Sequence, residues 1–203
     1  MTAADASLIE ALTGALSSGT VISDPDAMSA YRWDRANDPN AGMPLAVVRV
    51  TSTEEVQAVV RLAAAAGVAI VPRGAGSGLS GGSTSIDGCI VVSVDRMREI
   101  TVDPVTRTVV AQPGAFNAEV KAAAAEHGLW YPPDPASFQF CSIGGNVATN
   151  AGGLCCVKYG VTTDYVLGMT VVLADGRAVK LGGPKIKDVA GYSLTKLFTG
   201  SEG

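Results

Sequence analysis

The run Pro72-Arg73-Gly74-Ala75-Gly76-Ser77-Gly78-Leu79-Ser80-Gly81-Gly82 organises the rest of the chain, and five of its eleven residues are glycine. It follows Val68-Ala69-Ile70-Val71, an apolar run that predicts a strand. A glycine-rich loop after a strand has a physical use. Without Cβ atoms the backbone reaches positive φ, and several N–H groups can turn towards one anion. The loop is therefore expected to cradle the diphosphate of a nucleotide cofactor. Gly76-Ser77-Gly78-Leu79-Ser80-Gly81 matches the G-x-G-x-x-G spacing of dinucleotide-binding folds, and Asp95 lies 19 residues beyond Gly76, near where a ribose-binding acid would sit. That fingerprint needs a helix opening inside the glycine run. Gly82-Ser83-Thr84-Ser85-Ile86-Asp87-Gly88 follows instead, with no apolar period, so the Rossmann reading is rejected. No Lys-Ser or Lys-Thr follows the glycines, which excludes a Walker A loop.

Upstream, Leu45–Val50 predicts a strand, and Thr51-Ser52-Thr53-Glu54-Glu55 offers an N-cap with acids in the first turn. Val56, Val59, Val60, Leu62 and Ala63 fill one side of a helix ending at Gly67. Residues 45–71 thus form an expected parallel, right-handed βαβ unit. Before it, a short amphipathic helix is expected over 6–16, then an irregular leader over 23–44 pinned to the body by Tyr31 and Trp33. Downstream come a strand at Cys89–Val94 and a hairpin of 98–103 and 107–112, closed by Gln112-Pro113-Gly114. An alanine-rich helix from Asn117 to His127 stops at Gly128, and Trp130-Tyr131-Pro132-Pro133-Asp134-Pro135 predicts a rigid extended segment. Ser142 is the candidate N-cap of a helix running to about Asn150, before Gly152-Gly153. A second hairpin, 166–174 and 178–181, turns over Asp175-Gly176, and a short helix is expected around Leu194, Leu197 and Phe198.

Composition narrows the function. Hydrophobic residues are 47% and charged residues 17% of the 203, a globular balance. The net charge of −4 and the lack of a basic run exclude a nucleic-acid surface. The 24 glycines exceed the roughly 7% average, and they cluster at 74–82, 144–153 and 182–183, which points to backbone placed close to a ligand. Cys89, Cys141, Cys155 and Cys156 show no C-x-x-C spacing, and one histidine supports no zinc constellation, so free thiols and no metal are expected. No signal peptide is visible, and no apolar run approaches the ~20 residues of a membrane helix.

The second cluster opens a helix, whose first N–H groups favour anions or carbonyl oxygens. Asn146, Thr149 and Asn150 add the donors and acceptors that a polar heteroaromatic ring needs, although either Asn146 or Thr149 alone also fits an ordinary cap or helix-surface role. Together the two clusters indicate a ligand site.

Four ordered blocks carry a family resemblance. Pro72 to Gly82 resembles the diphosphate loop of the vanillyl-alcohol oxidase/PCMH-type FAD-binding fold. Pro132 to Pro135 with Ser142-Ile143-Gly144-Gly145-Asn146-Val147-Ala148-Thr149-Asn150-Ala151-Gly152-Gly153 resembles its branch of glycolate oxidase FAD subunits and D-lactate dehydrogenases, as do Gly191–Phe198 and Gly200-Ser201-Glu202-Gly203. The resemblance implies an α+β fold of two lobes with FAD between them: a small parallel βαβ lobe at about 45–103, then a mainly antiparallel lobe with helices at 104–203. It implies that Arg73, Gly74, Ala75, Gly76, Ser77, Gly78, Leu79, Gly81 and Gly82 hold the diphosphate. Gln112, Pro133, Asp134, Ser142, Gly145, Asn146, Thr149, Asn150, Gly152, Gly153 and Tyr159 would complete the FAD site. Arg73 either offsets phosphate charge or is a solvated loop residue. Asp134 cannot favour a phosphate; its backbone or a proton-sharing contact to the flavin is implied, with a plain turn role the alternative. Ser77 stands where members with covalent flavin often carry histidine, so non-covalent FAD is expected.

The resemblance further implies oxidation of a small 2-hydroxy acid, of glycolate or D-lactate type, by hydride transfer to flavin N5. The electron acceptor is not encoded, and a cytoplasmic protein, peripheral at a membrane through that acceptor, is expected. The family continues into a substrate domain bearing the metal ligands and the base, and its Gly-Ser-Glu-Gly motif continues as Thr-Leu-Gly. The sequence is therefore expected to be the N-terminal FAD-binding part of an oxidoreductase and inactive alone; the alternative is a non-catalytic flavin-binding or interaction module. The sole histidine, His127, is expected at a helix end, without a base's surroundings. Apolar surface around Val171, Leu173, Leu197 and Phe198 is expected to be exposed and to favour self-association.

Overall fold

The computed structural model describes residues 2–203, which divide into two compact units: 2–96 with 172–179, and 97–171 with 180–203. The leader is thus part of the first unit, whereas the hairpin strand expected to close the first lobe belongs to the second.

The first unit is built on a four-stranded sheet. Helix α1 (Ala3–Ala15) is capped by Thr2, strand β1 is Val21–Ile22, and helix α2 (Pro25–Ser29) starts with Pro25 behind an Asp24 cap. Strands β2 (Ala46–Arg49) and β3 (Ile70–Arg73) flank helix α3 (Thr53–Ala66), and β4 (Ile90–Ser93) follows the glycine loop. The order is β1-β2-β4-β3, with β4 parallel to both neighbours and β1 antiparallel. The βαβ unit is parallel as expected, but β4 inserts between its strands. That placement leaves β3 at the edge, where Pro72 can lack an N–H at no cost to the ladder.

Ser52 Oγ accepts from the Glu55 amide (3.2 Å) to start α3, and Gly67 at φ +67 ends it. Register puts Val47, Val91 and Val71 on one face, packed with Met28 and Cys89 and flanked by Ile22, Tyr31 and Met43. The alternate residues Ala46, Val48 and Ile90 face the other way and are equally buried, on the side where α3 packs on β4 and α1 on α3. Each fully buried valine or isoleucine contributes about 1.5–3 kcal/mol. The chain before β2 is therefore not an appendage: it supplies an edge strand at Val21–Ile22, and with Met28, Tyr31 and Met43 of the leader it supplies half of one core face. Tyr31 does pin it, but Trp33 is 38% exposed and donates only to the nearby Asp38 carbonyl (3.1 Å).

In the second unit, β5 (Ile100–Asp103) and β6 (Thr108–Ala111) form an antiparallel hairpin with Ile100 opposite Ala111. Asp103 organises its turn, accepting from the amides of Val105 and Thr106 and the Thr106 hydroxyl. Helix α4 (Asn117–Ala125) packs on both strands. Helices α5 (Ile143–Ala148) and α6 (Cys156–Tyr159) follow, with a 3-10 turn at Thr162–Asp164 that the sequence did not signal. Strands β7 (Gly168–Val172) and β8 (Ala178–Gly182) form the second hairpin, and α7 (Leu194–Phe198) comes last. The hairpin tip belongs to the first unit, where Gln57 and Arg61 donate to the Gly176 carbonyl (2.8 and 2.9 Å).

The expected apolar surface is only partly present. Leu197 is 67% exposed, but Val171, Leu173 and Phe198 are half-buried; the exposed neighbours are Ile186, Val189 and Tyr192. Among the described residues no helix is long and apolar enough to cross a membrane.

Candidate functional site

In the first unit the loop after β3 has a frame beneath it. The Arg73 side chain turns back under the loop and donates to the carbonyls of Ser83 (3.2 Å) and Tyr31 (3.4 Å). A Cβ on Gly76 would overlap its guanidinium. Burial lowers the Arg73 pKa, against the opposing charge of Asp34. Arg73 is thus half-buried and tied to the chain's own carbonyls. It is a strut whose charge acts from below.

Asp34, on the leader, lies beside the loop. It is 4% exposed, Oδ1 accepts from the Ala36 amide (2.8 Å), and Oδ2 has no hydrogen-bond partner. Oδ2 lies 3.8 Å from where a Gly78 Cβ would stand, and the Arg35 amide donates to the Gly78 carbonyl (3.0 Å). Gly76 (φ +65) and Gly81 (φ +83) take left-handed backbone, whereas Gly78 does not. With carbonyls and side chains held from below, no acceptor among the described residues takes the amides of Gly76, Ser77, Gly78 or Leu79. The Leu79 side chain is 77% exposed, and Gly74 and Gly82 flank the open stretch with Ala75 between. This is a preformed row of donors that suits a diphosphate.

The second glycine cluster is built differently. Ser142 caps α5 as expected, its Oγ accepting from the Gly145 amide (3.3 Å). The two preceding amides are also taken: Ile143 donates to the Ala115 carbonyl and Gly144 to the Pro113 carbonyl, both at 2.8 Å. The expectation of an open helix N-terminus is therefore corrected, because the chain's own carbonyls fill it. The side chains expected to face a ring are also engaged. Asn146 is 3% exposed; its Oδ1 accepts from Asn117 (3.1 Å) and its Nδ2 donates to Cys141 Sγ (3.2 Å). Thr149 Oγ1 donates back to the Gly145 carbonyl (2.9 Å), and Asn150 Oδ1 accepts from the Thr163 amide (2.9 Å). Gln112 is occupied by the Glu99 amide (3.0 Å) within its hairpin, and Pro133 is fully buried.

The glycines here permit close packing of chain on chain. A Cβ on Gly144 would stand 2.7 Å from Pro113 Cβ, and one on Gly153 would overlap the Asp134 carbonyl. Asp134 Oδ1 accepts from the Cys155 amide (2.9 Å). Burial resists ionisation of Asp134, but the bonds to Cys155 and the Lys121 ammonium outweigh it and hold its carboxyl below the usual range. Exposed on this unit are Thr149, Gly152, whose amide has no acceptor, and Tyr159, whose ring stands edge-on to Trp130 (4.9 Å). The sequence reading missed Asp34 and Asn117. Only their distant partners mark them out, and no local pattern reports those.

Comparison with known proteins agrees with this chemistry. The chain is 43% identical over 174 residues to the glycolate oxidase subunit GlcD of Bacillus subtilis, covering 85% of this chain and 37% of that one. It is 42% identical over 200 residues to the D-2-hydroxyglutarate dehydrogenase of Stutzerimonas stutzeri, covering 98% and 43%. A D-lactate dehydrogenase of Archaeoglobus fulgidus is 40% identical over 177 residues, covering 86% and 40%. The chain thus spans about two fifths of the length of these curated relatives. Among solved structures, alkyldihydroxyacetonephosphate synthase superposes with a TM-score of 0.85 at 24% identity, covering 98% of this chain and 38% of that one. p-Cresol methylhydroxylase gives 0.84 at 22%, covering 98% and 41%. These likenesses show the fold, a PCMH-type α+β FAD-binding domain. The open amide row fits the cofactor of the family whose signature, described as an FAD binding domain, matches residues 44–182; the chain belongs to that FAD-binding family.

Proposed function

We propose that this chain is the FAD-binding part of a flavin-dependent oxidoreductase acting on a small 2-hydroxy acid of glycolate, D-lactate or D-2-hydroxyglutarate type. The observation that carries the reading is the row of acceptor-less amides from Gly76 to Leu79 above the Arg73–Asp34 frame. Gly74 to Gly82 would hold the diphosphate through backbone N–H groups, with the Arg73 charge adding attraction. In the second unit, Asp134, Thr149, Gly152 and Tyr159 offer surface to the flavin, with Asn146 and Pro133 as support behind it. FAD, when bound, supplies the two-electron acceptor for hydride from the substrate carbon; the protein binds, orients and shields it. Ser77 leaves the attachment non-covalent. The names of the relatives support the substrate class. We place the protein in the cytoplasm, at a membrane only through its electron acceptor.

The test is flavin content. Gly78→Val adds a branched side chain within the amide row, its Cβ 3.8 Å from Asp34 Oδ2, without a φ penalty, and Gly81→Val adds that penalty. Both are expected to purify without flavin and to gain no bound-flavin absorbance on FAD addition. Wild-type flavin content in both would overturn the cradle.

A further inference from the structure

We propose that Asn117 is the positioning residue that fixes the flavin-facing wall of the second unit, by locking the proline segment 132–135 to helix α5. This rests on the reading that those segments line the flavin.

The segment needs such a lock. Pro132, Pro133 and Pro135 have no N–H, so the segment cannot join a ladder, yet all three are buried and their carbonyls still need donors. The Phe138 amide serves the Pro135 carbonyl (2.7 Å), and helix α4 supplies two further donors to the stretch from one face, at i and i+4. Lys121 Nζ donates to the Tyr131 carbonyl (2.6 Å) and Asn117 Nδ2 to the Pro133 carbonyl (3.2 Å). Asn117 does more than Lys121. The second hydrogen of the same nitrogen goes to Asn146 Oδ1 (3.1 Å) on α5, and the Asn117 amide donates to the Cys141 carbonyl (3.0 Å) just before the cap of that helix. Asn146 Nδ2 passes the connection on to Cys141 Sγ (3.2 Å). Asn117, Asn146 and Cys141 are 0%, 3% and 2% exposed.

The orientation of the Asn117 amide follows from its partners: the Pro133 carbonyl can only accept, so the nitrogen must face it. This leaves Asn117 Oδ1 buried with no partner. Leucine, with the same branching though a larger volume, would fill the space without an orphan acceptor. Asparagine is explained by its two hydrogens, which no carboxylate offers and which the longer glutamine would carry too far. Because Gly153 sits against the Asp134 carbonyl, any slip of the proline segment would reach the Gly152-Gly153 end of the wall as well.

The test compares the 203-residue chain with Asn117→Leu and Asn117→Asp, measuring thermal unfolding without FAD and, separately, FAD affinity and the visible circular dichroism of bound flavin. Asn117→Leu leaves the Pro133 carbonyl and Asn146 Oδ1 without that donor, so a lowered melting temperature is expected in a chain that still folds; it is expected to bind FAD roughly tenfold or more weakly with an altered flavin dichroism, because misplacement and not unfolding is the defect. Asn117→Asp, with no donor, should be at least as weak. Wild-type affinity and dichroism in a folded Asn117→Leu would overturn the positioning role. Should both variants fail to fold, the unaltered labelled chain decides: the Asn117 side-chain NH2 resonance is expected to shift on FAD addition, and an unshifted resonance would overturn the proposal. Failure of the wild-type chain to bind FAD would instead sink the cofactor assignment, so the two failures are distinct.

Discussion

At the scale of single residues, two glycines of the same loop have different reasons to be glycine. Gly81 needs its positive φ, whereas Gly78 has ordinary backbone and only Asp34 Oδ2 nearby at 3.8 Å. Gly78→Ala is therefore expected to change unfolding free energy by no more than about 0.5 kcal/mol while weakening FAD binding. Gly81→Ala should lose about 1 kcal/mol even without cofactor. Urea melts of both apo-proteins check the contrast. Glu55 makes a second residue-scale case. Burial resists its ionisation, but bonds from the Ser17 amide (3.1 Å) and from the Thr51 amide and hydroxyl (2.7 and 2.9 Å) outweigh this and pull its pKa to about 2. A carboxyl with a depressed folded pKa stabilises fully above its unfolded value, near 4.5, and loses that contribution as pH falls towards 2. Glu55→Gln should cost about 1–2 kcal/mol at pH 7 and flatten the acid limb of stability between those pH values. An unchanged acid limb would contradict the account.

At the scale of elements, local signals were legible and long-range partners were not. Caps, stops and turns were read at Ser52, Gly67, Ser142 and Asp175-Gly176 because each acts on its own neighbours in sequence. Nothing in the run 45–71 announces that β4 will insert between β2 and β3, since strand order is set by tertiary packing. The leader gave no strand signal at Val21–Ile22, because two residues are too few to show alternation. Glycine clustering points to backbone placed close to a ligand, but at Gly144 and Gly153 the approaching partner is the chain itself. Gly144→Ala and Gly153→Ala are accordingly expected to destabilise the protein without FAD, by about 1–3 kcal/mol each, through collision with Pro113 and with the Asp134 carbonyl. Thermal melts of the two apo-variants check this; unchanged melting temperatures would mean that those contacts yield freely.

At the scale of the whole molecule, family membership, relatives and loop geometry converge on FAD, and the four sequence blocks that carry the resemblance are short, ordered and specific. Substrate chemistry is a different matter. The sole histidine, His127, lies exposed just beyond α4. With FAD and an artificial electron acceptor, the 203-residue chain is expected to show no dye reduction with D-lactate or glycolate, and steady turnover would contradict that. The cofactor claim itself is tested most directly by titrating the apo-protein with FAD and following flavin fluorescence and absorbance. The predicted result is saturable 1:1 binding, released on denaturation, with a Kd below about 10 μM, or roughly −7 kcal/mol. No saturation up to about 1 mM FAD, where the binding free energy is near −4 kcal/mol, would contradict the central claim.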